Sequence, residues 1–236
     1  MICEQQLITP LLDYRTYGGW GVQRPEHGTL GRFSPDMTRI LPDGRTVALT
    51  LRLDRAAYQL YREAGASHSQ ALHNALLCPA WAGQHNMPGL GTWEIELQAP
   101  ASDRVELVAM LWPQNDSDWP RGEINILEGR VGNGLSLTNL HWPDTDGIPQ
   151  HAPEMIDLDV TQQHRYRVDI APGRVRWSVD GNLRRELYTP HAPVDVPVHM
   201  VVQAGVNPAI AEDWHPDFEW EHTIYFRPVQ APCEHN

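Results

Sequence analysis

Short segments in which apolar and polar residues alternate recur along most of the chain and predict β-strands. In TWEIELQ, the side chains of Trp93, Ile95 and Leu97 share one face and polar side chains share the other. The mostly apolar run 104–111 is typical of a strand that is buried on both faces. Further strand-like segments lie at 46–53, 135–142, 164–171, 173–180, 182–189, 198–204 and 222–229.

Turn-forming residues separate these segments, and one region has a helical pattern. Asp180-Gly181 lies between two strand-like runs and predicts a hairpin, because type I′ turns need positive φ angles. The helix candidate is 54–66 (DRAAYQLYREAGA), with SQALHNALL as a candidate continuation. The sequence has no internal repeat, low-complexity segment or Gly/Ser linker. We therefore expect residues 1–236 to form one all-β domain, a sandwich or a barrel.

The net charge of −12, from 18 basic and 30 acidic residues, restricts the partners of this chain. It argues against nucleic acid or an anionic membrane surface. No apolar run approaches the roughly 20 residues of a membrane helix. The N-terminal MICEQQLITPLLDY lacks the basic start and apolar run of a signal peptide. The sequence as written thus predicts a cytoplasmic protein, or a secreted one if a leader is missing.

Neither the cysteines nor the histidines have the spacing of a metal site. Cys3, Cys78 and Cys233 are far apart and form no CxxC pair, so we expect structural thiols. The twelve histidines include no HExxH motif. DTDG at 144–147 lacks the remaining ligands of a calcium loop. No metal-ligating residues are predicted.

The segment 111–130 (LWPQNDSDWPRGEINILEGR) carries Glu123, Asn125 and Glu128 within six residues. In a regular strand Glu123 and Asn125 point to the same face, and Glu128 points to the other one. One extra residue between Asn125 and Glu128, a β-bulge, returns Glu128 to the first face, and bulges are frequent beside active sites. The spacing predicts either this bulged strand or an ordinary strand whose glutamates are solvated.

Two glutamates on one face of a sheet are the groups that a retaining glycosidase requires. One attacks the anomeric carbon, while the other protonates the leaving oxygen and later deprotonates water, with the carboxyls roughly 5–5.5 Å apart. Along a bulged strand their Cα atoms would be about 13 Å apart, at about 3.3 Å per residue. The long side chains must therefore lean together, which favours a curved sheet with a groove.

The run WPRGEINILEG (119–129) resembles the catalytic strand of glycoside hydrolase family 16. It is most similar to the laminarinase-like members, which carry a WP-x-x-GEIDI-x-E run. Residues 91–100, 164–187, 198–208 and 222–229 resemble further strands of that family in the same order. The resemblance extends over about 30–230 and is strongest over 90–230, although only the catalytic strand is highly specific.

This resemblance implies a β-jelly-roll sandwich of two curved antiparallel sheets with an open concave cleft. It also implies retaining hydrolysis or transglycosylation of β-linked glucans or galactans, with no organic cofactor. Carried over by position, Glu123 is the nucleophile, Glu128 is the general acid/base, and Asn125 replaces the Asp that tunes their proton sharing. Many members bind a structural calcium ion, which nothing in this sequence locates.

Asn125 is the position at which this chain departs from the family pattern. An Asp there could share a proton with Glu123, whereas Asn forms hydrogen bonds but does not titrate. The missing negative charge is expected to lower the pKa of Glu128 and make it a poorer acid at neutral pH. We expect either reduced activity with an acid-shifted optimum or a glycan-binding protein descended from an enzyme.

A glycan cleft is expected to expose aromatic rings, because sugar C–H faces stack on them. Trp119 and Trp142 are the first candidates, since their segments adjoin the catalytic strand, and Trp112 and Trp81 are further candidates. Core packing is the alternative for each of them. Trp177, in the predicted hairpin, is expected in the core.

His141 falls on the strand expected to neighbour 122–128. It could form a hydrogen bond to a carboxylate or a sugar hydroxyl, or it could be a structural histidine. Together these features predict a monomeric endo-β-glycanase that cleaves internal bonds of a β-1,3- or mixed-linkage glucan. The alternatives are a glycan-binding module on the same scaffold and a plain structural sandwich.

Overall fold

The structure, a computed structural model, describes residues 31–83, 86–130, 135–206 and 220–230. Within these ranges the chain forms seventeen β-strands, the α-helices α1 (Arg55–Glu63) and α2 (His68–Ala75), and short 3-10 helices at Pro35–Met37 and Asp116–Asp118. The strands are β1 (Arg32–Phe33), β2 (Thr38–Ile40), β3 (Val47–Leu53), β4 (Leu76–Cys78), β5 (Ala80–Ala82), β6 (Met87–Pro88), β7 (Gly91–Gln98), β8 (Val105–Pro113), β9 (Ile124–Arg130), β10 (Leu135–Pro143), β11 (Pro149–His151), β12 (Glu154–Asp157), β13 (His164–Ala171), β14 (Arg174–Val179), β15 (Asn182–Tyr188), β16 (Pro197–Val206) and β17 (Glu221–Gln230).

The strands form two sheets that pack face to face. Sheet I has the order β1-β4-β3-β17-β7-β13-β14-β15, with β2 paired to β3. Sheet II has the order β11-β10-β9-β8-β16-β5, with β12 paired to β10 and β6 to β16. Among the described pairs only β1 and β4 are parallel. The molecule is a two-sheet jelly-roll sandwich, which confirms the predicted all-β class and resolves the choice between sandwich and barrel.

The core lies between the inner faces of the two sheets and follows the alternation seen in the sequence. In β7 the side chains of Trp93, Ile95 and Leu97 are buried in it. In β8 the odd-numbered residues from Val105 to Leu111 face this core, whereas Met110 and Trp112 pack in a separate small cluster with Val201. Strand β8 is therefore apolar on both faces over its second half, as its sequence predicts.

The predicted helical region forms two helices instead of one. The Asp54 carboxylate accepts a hydrogen bond from the Ala57 N–H (3.0 Å) and caps α1. Gly65, with φ +88°, follows that helix, and Ser67 then starts α2 through a capping box with Gln70. No helix in the four described ranges is long and apolar enough to span a bilayer.

The predicted hairpin turn is present, and one of the three predicted structural thiols is buried. Asp180 and Gly181 have φ angles of 51° and 77° and connect β14 to β15, as a type I′ turn requires. Cys78 is buried, and burial raises the pKa of its thiol to about 12, in keeping with a structural role. Cys3 and Cys233 lie outside the described residues.

Candidate active site

Strand β9 contains a β-bulge at the predicted place. On one side Met110 pairs with Asn125 and Ala109 with Leu127, so that adjacent residues of β8 span three residues of β9. On the other side, the register of β9 against β10 also shifts by one residue between Asn125 and Glu128. The consecutive residues Ile126 and Leu127 are both buried in the core. The bulge inferred from the spacing is confirmed.

The bulge brings Glu123, Asn125 and Glu128 onto the outer face of sheet II, away from the core. Asn125 is paired with Met110 and Glu128 with Val108, and both partners belong to the small cluster outside the main core. We call the outer surface of β8, β9, β10 and β11 the site face. The alternative of an unbulged strand with glutamates on opposite faces is therefore excluded.

Glu123 is fixed by the chain on both sides of it. Gly122 has φ +89°, and a Cβ there would lie 3.0 Å from the Val196 side chain and 3.1 Å from that of Pro113. Only glycine is comfortable in this conformation at such close contact. The carbonyl oxygen of Glu123 accepts a hydrogen bond from the backbone N–H of His141 (3.1 Å). These contacts hold Glu123 beside β10.

The Glu123 carboxyl is enclosed by an indole and an imidazole. Trp119 donates its Nε1–H to Oε2 (2.5 Å), and His141 Nε2 lies 3.4 Å from Oε1. The side chain is 11% exposed. Burial raises the pKa of Glu123 to about 7, the negative charge of Glu128 adds to this rise, and hydrogen bonds from Trp119 and Asn125 oppose it. The carboxyl therefore exchanges its proton near neutral pH.

The Glu128 carboxyl accepts a hydrogen bond from the Asn125 side chain, Nδ2 to Oε2, at 2.5 Å. Burial raises the pKa of Glu128, and the Asn125 amide and the nearby His151 act in the opposite direction. The amide thus acts in the direction expected from the sequence, but burial outweighs it. The acid-shifted optimum is expected relative to a chain with Asp at position 125, and it stays a prediction.

His141 lies on β10 beside the carboxyls, as the sequence suggested. Burial, and to a smaller extent the neighbouring His151, lower its pKa to about 4, so that the imidazole is neutral at neutral pH. Its Nε2 lies 2.9 Å from Nδ2 of Asn139. Asn139 was missed by sequence reasoning. Asn139 lies two residues before His141 and is paired with Asn125. This pairing could not be predicted, because it depends on the register of β10 against β9.

Two of the four candidate tryptophans lie on the site face. Trp119 is 40% exposed and contacts Glu123. Trp112 lies on the outer face of β8, is largely covered, and donates its Nε1–H to Asp116 (2.9 Å). The structure therefore leaves Trp119 as the exposed ring next to the carboxyls.

The expectation for Trp81 is wrong, and Trp142 does not share a face with the two carboxyls. Trp81 lies in a strand instead of a loop, is 1% exposed, and packs against Phe226 in the core. Trp142 follows His141 on β10, and consecutive residues of a strand point to opposite faces. Its ring packs against the core and stacks on His191, with ring centroids 5.1 Å apart. Neither ring is part of the site face.

No group of three or more His, Cys, Asp or Glu side chains within the described ranges is arranged to hold a metal ion. A structural calcium ion stays a prediction without a location. The site face brings together two carboxyls of raised pKa, two amides, a neutral imidazole and an indole. Paired carboxyls in such surroundings are suited to general acid/base and nucleophilic chemistry.

Comparison with solved structures identifies the fold. LamAcat from Zobellia galactanivorans superposes with a TM-score of 0.65 at 15% identity, covering 86% of this chain and 84% of that one. The laminarinase catalytic domain of Thermotoga maritima MSB8 gives 0.61 at 16% identity, covering 91% and 87%. A glycoside hydrolase family 16 endo-glucanase from Bacteroides ovatus gives 0.59 at 12% identity, covering 86% and 89%.

The chain has the fold of the laminarinases and β-glucanases of glycoside hydrolase family 16, as its catalytic-strand motif predicted. No protein-family model matches the sequence, and no curated protein matches it significantly. Because these identities are low, the superpositions establish the fold, and the activity has to be argued from the residues on the site face.

Proposed function

We propose that this protein is a retaining endo-β-glycanase that hydrolyses internal β-glucosidic bonds of a β-1,3- or mixed-linkage glucan. The observation that carries the proposal is the bulge in β9, which turns Glu123 and Glu128 onto one face of sheet II. The two carboxyls are close enough for the charge of Glu128 to raise the pKa of Glu123. Such a pair is what double displacement at an anomeric carbon requires.

In the first step, Glu128 protonates the glycosidic oxygen while the Glu123 carboxylate attacks the anomeric carbon. The bond to the leaving sugar breaks, and a glycosyl ester forms on Glu123. In the second step, Glu128 takes a proton from a water molecule, which attacks the anomeric carbon and releases Glu123. Both displacements invert the carbon, so that the product keeps the β configuration.

The neighbouring side chains orient the two carboxyls for these steps. Trp119 donates to one oxygen of Glu123 and exposes its ring for a sugar face. Asn125 donates to Glu128, and Asn139 contacts the imidazole of His141 beside Glu123. Each contact is made by a group that is neutral at neutral pH, so the negative charge needed on Glu123 is not cancelled by a neighbouring cation.

The mechanism needs Glu123 ionised and Glu128 protonated, so the active form of the pair carries a single proton. The activity is expected to rise with pH as the pair loses its first proton and to fall as it loses its second. Because the two carboxyls interact, these two limbs report the pair instead of single residues.

A second candidate function, a glycan-binding module with weak or absent hydrolysis, is favoured by Asn125. An amide at this position donates a hydrogen bond to Glu128 but cannot carry a proton between the carboxyls. The same site face would then bind the polysaccharide without cleaving it.

The choice of glucan as substrate draws on the structural relatives. Z. galactanivorans LamA was crystallised with laminaritriose and laminaritetraose, and a B. ovatus mixed-linkage-glucan protein with the product G4G4G3G. Endo-acting O-glycanases that initiate mucin breakdown share the fold at a TM-score of 0.61. A substrate panel therefore needs laminarin, mixed-linkage β-glucan and mucin O-glycans.

The test is the release of reducing ends from this panel by the wild type, Glu123→Gln and Glu96→Gln. Glu96 lies on sheet I and serves as the matched control for loss of a carboxylate. We expect hydrolysis of laminarin or mixed-linkage glucan by the wild type and the control, and none by Glu123→Gln. NMR of the first product is expected to show the β anomer. Binding without hydrolysis would favour the module, and an α anomer would contradict the double displacement.

A further inference from the structure

The carbonyl oxygen of Asn125, at the start of the bulge, accepts a hydrogen bond from across the core. The donor is Nε1–H of Trp177 on β14 in sheet I, at 3.1 Å, and the bond is buried. A bulge disturbs the hydrogen-bond ladder of its strand, so backbone groups there depend on donors outside the sheet. The indole therefore supplies a fixed contact at the point where β9 departs from regular geometry.

We propose that Trp177 and Arg185 are positioning residues, which hold the bulge from the opposite sheet and thereby set the placement of Asn125 and Glu128 on the site face. This inference rests on the proposed function for its effect on turnover. Neither residue touches the site face, so neither is a catalytic residue. Both act through the backbone of β9 and β10.

Trp177 belongs to a row of inward-facing residues that crosses sheet I. Trp93 on β7 pairs with Val168 on β13, Val168 pairs with Trp177 on β14, and Trp177 pairs with Arg185 on β15. Trp93 and Trp177 are both buried, with 2% and 1% of their surface exposed. The Nε1–H of Trp93 has no hydrogen-bond partner among the described residues, whereas that of Trp177 has Asn125. Trp93 is therefore a matched control for Trp177, because it is a buried tryptophan in the same row that lacks this hydrogen bond.

Arg185, on the edge strand β15, packs against the indole ring of Trp177. Its guanidinium lies 4.6 Å from the centre of the Trp177 ring, a cation–π arrangement. Its Nη1 donates to the carbonyl oxygen of Thr138 (3.0 Å), and its Nη2 donates to that of Ala152 (2.7 Å). The Nε lies 3.2 Å from the Glu154 carboxylate. One buried guanidinium therefore connects Trp177 to β10, directly before Asn139 and His141.

A purely structural role explains this arrangement less well. Burying an arginine is costly, and well-packed apolar side chains generally stabilise a core at least as much. The contacts of Arg185 and Trp177 instead converge on the backbone of the two strands that carry the site residues. A shift of about 1 Å at a catalytic group can lower the rate by up to about a hundredfold. Holding these two strands in place is therefore expected to increase turnover more than the free energy of unfolding.

The experiment compares Trp177→Phe with Trp93→Phe in the full-length protein. Both variants lose one buried indole N–H and the same ring volume, but only the first loses the bond to Asn125. Amide hydrogen exchange of residues 124–128 is followed by NMR, and kcat and KM are measured on the substrate that the wild type cleaves. For Trp177→Phe we expect roughly fivefold faster exchange in the bulge, the scale of one hydrogen bond. We also expect a roughly tenfold lower kcat, with KM changed less than about twofold.

The two variants separate the proposal from a general effect on the core. Equal bulge exchange in the two variants overturns the proposal, and so does a normal kcat in Trp177→Phe despite faster exchange. Should Trp177→Phe fail to fold, β-(3-benzothienyl)alanine at position 177 replaces the N–H by sulfur in a ring of the same shape, and the same readouts apply. If the wild type cleaves no glycan, the proposed function fails, while the exchange comparison still decides whether Trp177 holds the bulge.

Discussion

The outer faces of the two sheets carry the same acidic residue types in opposite electrostatic surroundings. On sheet I the carboxylates alternate with arginines. Arg165 lies 2.5 Å from Glu96, and Arg176 pairs with Glu186. The hydrogen bond from the Arg176 guanidinium holds the pKa of Glu186 below its ordinary value. The carboxylates and guanidinium groups of this face thus form an ionic ladder.

On the site face of sheet II the carboxyls meet an indole, an amide and imidazoles. Burial raises the pKa values of Glu123 and Glu128, and hydrogen bonds from neutral donors offset this only in part. A glutamate in a strand thus becomes either a salt-bridge partner or a proton-exchanging group, depending on the strand beside it. The contrast between the two faces can be tested at several sites.

After the loss of hydrolysis expected for Glu123→Gln, the largest expected effect is the loss of the proposed proton donor in Glu128→Gln. Removal of a general acid/base lowers kcat/KM by roughly 10²–10⁴-fold. The matched change Glu186→Gln on sheet I removes a carboxylate from an ionic pair and is expected to leave kcat/KM within about twofold, since Glu186 lies on the other sheet from the two catalytic candidates. The measurement is initial-rate kinetics on the glucan that the wild type cleaves. Comparable losses in both variants would show that the two faces do not differ in function.

The second expected effect is a gain in stability for Glu123→Gln. Between its ordinary pKa of 4.5 and the folded value of about 7, the folded protein binds a proton that the unfolded chain has released. The free energy of unfolding of the wild type therefore falls as the pH rises through this window. Glutamine avoids that loss and keeps an oxygen for the Trp119 N–H.

Urea unfolding is expected to show Glu123→Gln more stable than the wild type at pH 8, by up to about 3 kcal/mol, and equal to it near pH 4. Asp169 on sheet I provides the opposite case. Burial would raise its pKa, but hydrogen bonds from Arg167 and Thr92 prevail and hold the pKa below its ordinary value. Asp169→Asn is thus expected to lower stability at neutral pH, by less than about 1 kcal/mol. A less stable Glu123→Gln at pH 8 would contradict the raised pKa.

The third effect is expected for Asn125→Asp, which restores a charge between the two glutamates. An Asp here can share a proton with its neighbours, and its charge raises their pKa values further. We expect kcat to rise about threefold to tenfold, within the range of acid/base effects, with both limbs of the pH profile moved upward. Unchanged turnover together with an unchanged profile would refute the assigned tuning role. Asn139→Asp, which alters an amide next to His141 instead, is the control for added charge.

The bulge and the faces of β9 were predictable because they depend on parity alone. Glu123 and Glu128 are an odd number of residues apart, so a single extra residue is needed to bring them to one face. The same parity rule separates His141 from Trp142, and applying it would have excluded Trp142 from the site face. Trp81 offered no such signal, since its strand has three residues and no alternation.

The partners of the carboxyls were not predictable, because they depend on which strands are adjacent and on their register. Asn139 is significant only because it is paired with Asn125. Arg185 would be read as a solvated residue of NLRRELY, yet a register shift beside Trp177 leaves it facing inward on an edge strand. The pKa values follow from burial, which the sequence alone does not quantify. Patterns therefore located the candidate site, and tertiary packing determines the pKa values of its groups.

The smallest expected effect is for Trp119→Phe, which removes one hydrogen-bond donor from Glu123 and keeps an aromatic ring for the substrate. The Trp119 N–H stabilises the ionised carboxyl, so its loss raises the pKa of Glu123 above about 7. The acid limb of the kcat/KM profile is expected to move up by roughly one pH unit, because one hydrogen bond to a charged group contributes about 1.5 kcal/mol or more. Trp93→Phe, whose indole N–H contacts no carboxyl among the described residues, is the control and leaves the limb in place. A limb that stays in place in Trp119→Phe as well would contradict the role of the Trp119 N–H in the titration of the carboxyl pair.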